Sequence, residues 1–211
     1  MRLFIASANQ GKIREILAIL QDSGVELVSV ADQAKLAELS IVIPSDFDVV
    51  EDGKTFRENA WLKAQAYANL TGLATIADDS GLEVTALDGF PSVNSNRWFT
   101  GTPAERNLAL LKLLEEKVDR RARFYSVICF FDPKTSDKQF FEGEIQGQIA
   151  KQPRGNKLEG FGYDPIFIPE GQDKTFAELG ADFKNTISHR RQALFKLNQY
   201  VLSNKRLGQP E

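Results

Sequence analysis

Hydrophobic and polar positions follow one another along this chain in two rhythms, one of strands and one of helices. Residues 3–6 form a continuous apolar run of strand length, and after Ser7-Ala8-Asn9-Gln10-Gly11-Lys12 the positions Ile13, Ile16, Leu17 and Leu20 recur at helical spacing. The chain therefore opens as strand, loop, helix. Residues 25–30 predict a second strand and 41–43 a third, stopped by Pro44. Thr55-Phe56-Arg57-Glu58 has the form of a capping box, in which threonine hydroxyl and glutamate carboxylate satisfy the free amides of a helix start. A helix over 56–71 follows, with Gly72 as its stop.

Residues 73–77 then read as a buried strand ending at the acidic pair Asp78-Asp79, and 82–87 resume as strand. Thr102-Pro103-Ala104-Glu105 combines an N-cap, a proline at the first helical position and a capping glutamate, with Leu108, Leu111, Leu114 and Val118 as the expected buried stripe. The strand-like runs 124–131 and 139–149 flank turn residues 132–137 and predict a hairpin, and 165–168 predict a further short strand. A last helix begins near Ser188, turns Ala193, Leu194, Leu197 and Val201 inward, and carries His189 and Arg190 in its first turn. With no repeat or low-complexity tract, the simplest architecture is one α/β domain over 1–211.

Composition narrows the function classes. The 211 residues are 42% hydrophobic and 26% charged, and a chain of this length buries roughly seventy per cent of its unfolded surface, which excludes disorder as the main theme. Lysines and arginines number 26 against 29 aspartates and glutamates, for a net charge of -3, so neither nucleic acid nor an anionic membrane is an expected partner. The single cysteine, Cys129, lies in an apolar run and can form no disulfide within the chain. That fits a reducing compartment, and the apolar start is too short for a signal peptide, so a cytoplasmic location is expected. One histidine and one cysteine cannot build a common tetrahedral zinc site. A bound metal would be held by carboxylates, which favours magnesium or manganese.

Three regions carry candidate chemistry, each with an ordinary structural reading beside it. The loop Ser7, Ala8, Asn9, Gln10, Gly11, Lys12 could cradle phosphate with helix-terminal amides and the lysine charge, or simply connect two elements; it is not a Walker A loop. Asp78-Asp79-Ser80-Gly81 sets two acids side by side after a buried strand, where their repulsion calls for a cation or a proton, although a hydrogen-bonded turn has the same composition. Glu58 is already employed in the capping box, so Glu51 is the better candidate metal ligand nearby. In Gly160-Phe161-Gly162-Tyr163-Asp164-Pro165, two aromatics could stack on a planar base and Asp164 could accept from its ring nitrogens. Lys184, His189 and Arg190 add donors downstream, and the donor-only Arg190 suits a keto group better than an amino group. The alternative is an aromatic turn followed by a capped, solvated helix start.

Taken together, the motifs Ser7-x-Asn9-x-x-Lys12, Thr55-Phe56-x-Glu58-Asn59-Ala60, Ala77-Asp78-Asp79-Ser80-Gly81-Leu82, Gly160-Phe161-Gly162-Tyr163-Asp164-Pro165 and Ser188-His189-Arg190 occur in one order along the chain. In this the sequence resembles the inosine/xanthosine triphosphate pyrophosphatases, which remove non-standard purine nucleotides. The resemblance implies hydrolysis between the α- and β-phosphates of ITP, dITP or XTP, giving monophosphate and pyrophosphate with magnesium. It implies that residues 7–12 hold the triphosphate, with Lys12 acting in catalysis. Glu51 and Asp79 would bind metal, Asp79 would accept the proton of the attacking water, and Ser80 would contact substrate. Phe161, Gly162, Tyr163, Asp164, Lys184, His189 and Arg190 would hold the base and its surroundings. It further implies an elongated, twisted mixed sheet flanked by helices, two lobes with a central cleft, and a homodimer. One stretch departs from the family, which commonly has a glycine after the proline and a Ser-Ala-Arg-Tyr segment where this chain has Pro91-Ser92-Val93-Asn94-Ser95-Asn96-Arg97-Trp98. A related pyrophosphatase of other base specificity and a nucleotide-sensing protein without turnover are the competing readings; a serine hydrolase is discounted, because no nucleophile elbow is present.

Overall fold

A computed structural model describes residues 1–155 and 162–207. Strands β1 (Arg2–Ile5), β2 (Glu26–Ser29), β3 (Thr75–Val84), β4 (Arg121–Asp132), β5 (Asp137–Ile149) and β6 (Phe167–Pro169) form one sheet in the order β2-β1-β3-β4-β5-β6. β1 runs parallel to both β2 and β3, whereas β5 and β6 are antiparallel, so the sheet is mixed. Helices α1 (Gln10–Leu20), α2 (Gln33–Glu38), α3 (Phe56–Thr71), α4 (Pro103–Leu113), α5 (Phe176–Ile187) and α6 (His189–Leu207) complete the expected α/β class. The chain divides into two compact units, Met1–Asp79 with Val127–Glu142 and Gln192–Glu211, and Ser80–Ser126 with Gly143–Arg191.

Local chemistry accounts for the helices that the sequence announces. Both capping boxes form: Thr55 Oγ1 accepts from Glu58 N at 3.1 Å while Glu58 accepts from Thr55 N at 3.0 Å, and Thr102 pairs with Glu105 in the same reciprocal way. Gly72 ends α3 in the left-handed region, at φ 66°, where a side chain would be strained. In the first unit, Leu3 and Ile5 of β1, Ile13, Ile16 and Leu20 of α1, and Leu194, Leu197 and Val201 of α6 share one core. In the second unit, Leu82, Leu110, Phe124, Ile149, Phe167 and Phe176 share another. Cys129 is buried, and burial pushes its thiol up to about 12, so it behaves as a small apolar side chain.

Four expectations need correction. The strand 73–77 does not end at Asp78-Asp79: β3 continues unbroken to Val84, and residues 85–87 form a short 3₁₀ turn. The neighbour that stops is β1, whose register with β3 covers only Phe4↔Thr75 and Ile5↔Ile76. The acids therefore lie beyond the carboxyl end of β1 and inside β3. In α4 the inward face is Arg106, Asn107 and Leu110, with Leu114 just after it, while Leu108 is 55% and Val118 99% exposed. The helix ends at Leu113, so the heptad-like run to Val118 has no helix to carry it. Residues 41–43 form no strand; Pro44 follows them and no neighbouring strand pairs them. Leu17 is 39% exposed, because α1 turns Ile13, Ile16 and Leu20 inward instead.

The β5–β6 pairing depends on close backbone approach at Gly147, which lies opposite Pro169. A Cβ there would run into the Ile168 carbonyl oxygen and, at 2.6 Å, Phe167 Cζ. Gly147→Ala is expected to lower stability by about 1–3 kcal/mol through this overpacking. Urea unfolding followed by circular dichroism checks it, with an unchanged midpoint as the contrary result.

Candidate functional site

In the first unit, charge is concentrated around the acidic pair. Successive residues of a strand point to opposite faces, so Asp78 and Asp79 of β3 each need a separate partner. Asp78 Oδ2 pairs with Lys12 Nζ at 2.8 Å, and the same ammonium donates to the Asp78 carbonyl at 3.2 Å. Asp79 Oδ1 pairs with Lys63 Nζ at 3.2 Å, and Lys63 also donates to Glu51 Oε2 at 3.0 Å. The sequence-level expectation that the acids need a cation is thus met by two lysines from α1 and α3. Asp78, Asp79, Lys12 and Lys63 are all buried.

The loop carrying Glu51 is held by the first turn of α3. Gly53 N donates to Asn59 Oδ1 at 2.9 Å, and Glu58 Oε2 accepts from Lys54 N at 2.7 Å. A Cβ on Gly53 would come within 2.7 Å of Asn59 Oδ1, so only glycine lets the loop approach this closely. Glu58 is used structurally, as expected, and Glu51 reaches Lys63 instead.

Burial raises the Asp79 carboxyl above the ordinary aspartate range, with Lys63 and Lys12 opposing and Glu51 and Asp78 reinforcing the shift. Burial by itself lowers Lys63, but Asp79 and then Glu51 outweigh it and hold its ammonium charged. Among the described residues, three carboxylates here face two ammonium groups. Asp79 Oδ2 is buried and has no hydrogen-bond partner among the described residues. A spare carboxylate lone pair in this cluster suits a hard divalent cation. Among the described residues no group of three or more His, Cys, Asp or Glu side chains is placed to hold a metal ion.

The loop before α1 is ordered by its own side chains. Asn9 caps the helix, its Oδ1 accepting from Gly11 N at 3.0 Å and Lys12 N at 3.2 Å, while Ser7 Oγ accepts from Asn9 N. Ala8 and Gln10 complete this turn, so the expected phosphate-binding run 7–12 is one rigid corner with Lys12 bound to Asp78.

The second unit gathers the remaining candidates, except Phe161, which lies outside the described residues. Asp164 Oδ2 and Lys184 Nζ pair at 2.8 Å, both buried. Tyr163 Oη donates to Ser95 O and accepts from Trp98 Nε1, each at 2.7 Å. Arg106 lies 5.0 Å over the Tyr163 ring, so this tyrosine is anchored on its edge and covered on one face. His189 stacks on Phe124, with ring centres 4.9 Å apart and planes 12° from parallel. Arg190, at the start of α6, donates from Nη2 to Ser80 Oγ at 2.8 Å. Asn107 Nδ2 donates to the Gly162 carbonyl at 3.1 Å.

Lys63, Phe124, Asn107 and Trp98 were missed by sequence reasoning as parts of these clusters. Lys63 had a signal, since it stands one helical turn after Asn59 on α3 and so shares its face. Phe124 had none, because an aromatic in a strand reads as core.

With this geometry in place, comparison with known proteins is direct. The model of the Ham1 family matches residues 3–200. A dITP/XTP pyrophosphatase of Aquifex aeolicus is 40% identical, with 97% of this chain and 98% of the relative aligned. One from Symbiobacterium thermophilum is 43% identical over 92% and 91% of the two chains. Among solved structures, the Ham1 protein of Staphylococcus aureus matches with a TM-score of 0.79 at 38% identity, covering 97% of this chain and 100% of that one. A HAM1 protein from Coxiella burnetii matches with a TM-score of 0.81 at 37% identity, covering 96% and 99%. The corner at Lys12, the paired acids of β3 and the His189-Arg190 helix start therefore sit on a known scaffold, and this chain belongs to the Ham1 family.

Proposed function

We propose that this protein hydrolyses non-standard purine nucleoside triphosphates, of the dITP and XTP class named for its relatives, to the monophosphate and pyrophosphate. The observation that carries the reading is Asp79: a buried carboxylate with one oxygen lacking a partner among the described residues, beside Glu51 and two ammonium groups, in a chain whose aligned relatives are named for this activity.

Each residue has a task that follows from its chemistry. Asp79, with its carboxyl raised by burial, is a stronger proton acceptor than a solvated aspartate and takes the proton of the attacking water. Lys12 and Lys63 bring positive charge to the phosphates whose charge grows as the bond breaks. A magnesium or manganese ion held by Glu51 and Asp79 would neutralise phosphate charge and acidify water. Ser7, Ala8, Asn9, Gln10 and Gly11 shape the corner that receives the triphosphate. In the second unit Phe161, Gly162, Tyr163 and Asp164, with Lys184 and His189, hold the base, and Ser80 contacts the substrate while anchoring Arg190. A donor-only Arg190 favours a 6-keto purine, since facing an amino group would leave a buried donor unpaired at roughly 1–3 kcal/mol. The chain acts as a single pyrophosphatase domain over 1–211, in the cytoplasm and as a homodimer. Among the described residues no helix is long and apolar enough to cross a membrane.

The direct test is release of pyrophosphate and orthophosphate from ITP, XTP, GTP and ATP with and without magnesium. Magnesium-dependent pyrophosphate favouring ITP and XTP is expected. Orthophosphate alone would mean a terminal phosphatase, and tight ITP binding without release would mean a sensor. Asp79→Asn should lower kcat at least about a hundredfold, as loss of a general base does, in a protein that still folds; near-wild-type turnover would remove Asp79 from this role.

The charge count gives a second measurement. Lys63→Met keeps the buried stem but strips Glu51 and Asp79 of their shared ammonium, so the metal-free protein should lose about 3 kcal/mol, as when one partner of a buried pair is removed. Added magnesium should restore part of that loss in urea unfolding. A variant as stable as wild type would show that the carboxylates do not depend on Lys63.

A further inference from the structure

Three consecutive residues of the segment assigned to the base are each held by a different side chain of the second unit. Asn107 of α4 donates to Gly162 O at 3.1 Å, Trp98 donates to Tyr163 Oη at 2.7 Å, and Lys184 of α5 pairs with Asp164 at 2.8 Å. The contact from Trp98 comes from the loop that precedes α4. A phenol has one proton to donate, and Tyr163 gives it to Ser95 O at 2.7 Å while the indole N–H fills an acceptor site. Its rotation about the ring is thereby fixed from both sides by residues 95 and 98.

The support behind these residues is itself rigid. Ser95 is buried, its Oγ donating to Ser92 O at 2.6 Å and accepting from Leu82 N at 2.9 Å, which ties the turn to β3. Trp98 N donates to Asn94 O at 3.0 Å, and the indole packs edge-on against Phe90 and Phe99 at 5.0 and 5.6 Å. Gly162 sits at φ 66°, a conformation that the segment must hold while its neighbours are aimed. Asn107 is buried, and its Nδ2 fixes the Gly162 carbonyl at the other end of the same short stretch.

We infer that Trp98 is a positioning residue for the base: its indole N–H locks Tyr163, and through it the Gly162–Tyr163–Asp164 stretch, in the geometry that receives the purine. This rests on the assignment of Gly162, Tyr163 and Asp164 to the base in the proposed function. Trp98 itself does not touch the reacting phosphates. Its contribution lies in base affinity, leaving the chemistry at Asp79 alone.

The test compares wild type with Trp98→Phe, which removes the N–H and keeps an aromatic ring, and with Tyr163→Phe, which removes that bond together with the phenol's bond to Ser95 O. Steady-state kinetics with ITP, competitive inhibition by pyrophosphate, which has no base, and calorimetric titration of inosine monophosphate are read in parallel. Leaving a buried hydrogen-bonding group unpaired predicts a KM for ITP and a Kd for inosine monophosphate weakened about five- to tenfold. kcat should stay within about twofold and the pyrophosphate inhibition constant should not move. Because Tyr163→Phe already deletes the bond that Trp98→Phe removes, the double variant should be no worse than Tyr163→Phe alone. Unchanged KM, a parallel loss of pyrophosphate affinity, or additive effects in the double variant would each overturn the role of Trp98. A wild-type protein that neither turns over ITP nor binds inosine monophosphate would overturn the base assignment itself, and this inference with it. If Trp98→Phe does not fold, Trp98→Leu, which also lacks the N–H, is read in its place by the same split between base affinity and pyrophosphate affinity.

Discussion

Two carboxylates on consecutive residues of one buried strand cannot both remain charged unless each is given a cation. That constraint organises the first unit. Asp78 and Asp79 face opposite sides of β3, so one lysine cannot serve both, and the two that do come from different helices. Lys12 requires α1 to begin where its first turn faces Asp78, which Asn9 arranges by capping Gly11 and Lys12. Lys63 requires α3 to be fixed in rotation, which the Thr55–Glu58 box and the grip of Asn59 on Gly53 arrange. The apolar stripe of α1, through Ile13, Ile16 and Leu20, then packs on β1 and β3 with no freedom left to turn.

The second unit solves the same problem with different partners. Asp164 and Lys184 neutralise each other at 2.8 Å inside a core that also holds Phe167 and Phe176. Such a buried pair adds little net stability, since desolvation offsets most of the attraction, but removing either member is costly. Its effect is to fix geometry. Tyr163, Asp164, His189 and Arg190 each reach a defined partner through ring packing or a charged contact, which leaves few rotamers for the donors and acceptors assigned to the base.

Much of this was legible in the sequence, and the misses have definite causes. Capping boxes at Thr55 and Thr102 and the inward stripe of α6 are local signals, and local signals were enough to place those helices. Asp78-Asp79-Ser80-Gly81 read as the end of a strand because acids and glycine are poor strand residues, yet β3 runs through them, since the lysines that make this tolerable lie 66 and 16 residues away. The apolar run Leu108 to Val118 fitted a helical stripe, but the face that was buried contains Arg106 and Asn107, whose polar ends find Asn96 O and Gly162 O. Helices α2 and α5 escaped notice: one is a six-residue helix, and the other is kinked at Gly180, so neither shows a long period. The family resemblance pointed to Glu51 and Asp79 but not to Lys63, which pairs with both, because a lysine in an alanine-rich helix looks like a solvated one.

The departure at residues 91–98 can be read the same way, by asking which atoms the fold uses. Ser95 and Asn96 offer backbone oxygens, to Tyr163 and to Arg106 at 3.3 Å, so the side chain at 96 is exposed and its identity matters little. Arg97 is likewise exposed, holding its own turn through Asn94 and the Val93 carbonyl. Position 98 differs in kind, because there the contact with Tyr163 is made by the side chain itself. The side chain at 96 can therefore change without consequence, while a change at 98 alters a side chain that itself bonds Tyr163 Oη. Sequence divergence within one loop is in this sense unequal, and the hydrogen bonds, more than the count of differences, indicate where it reaches the site.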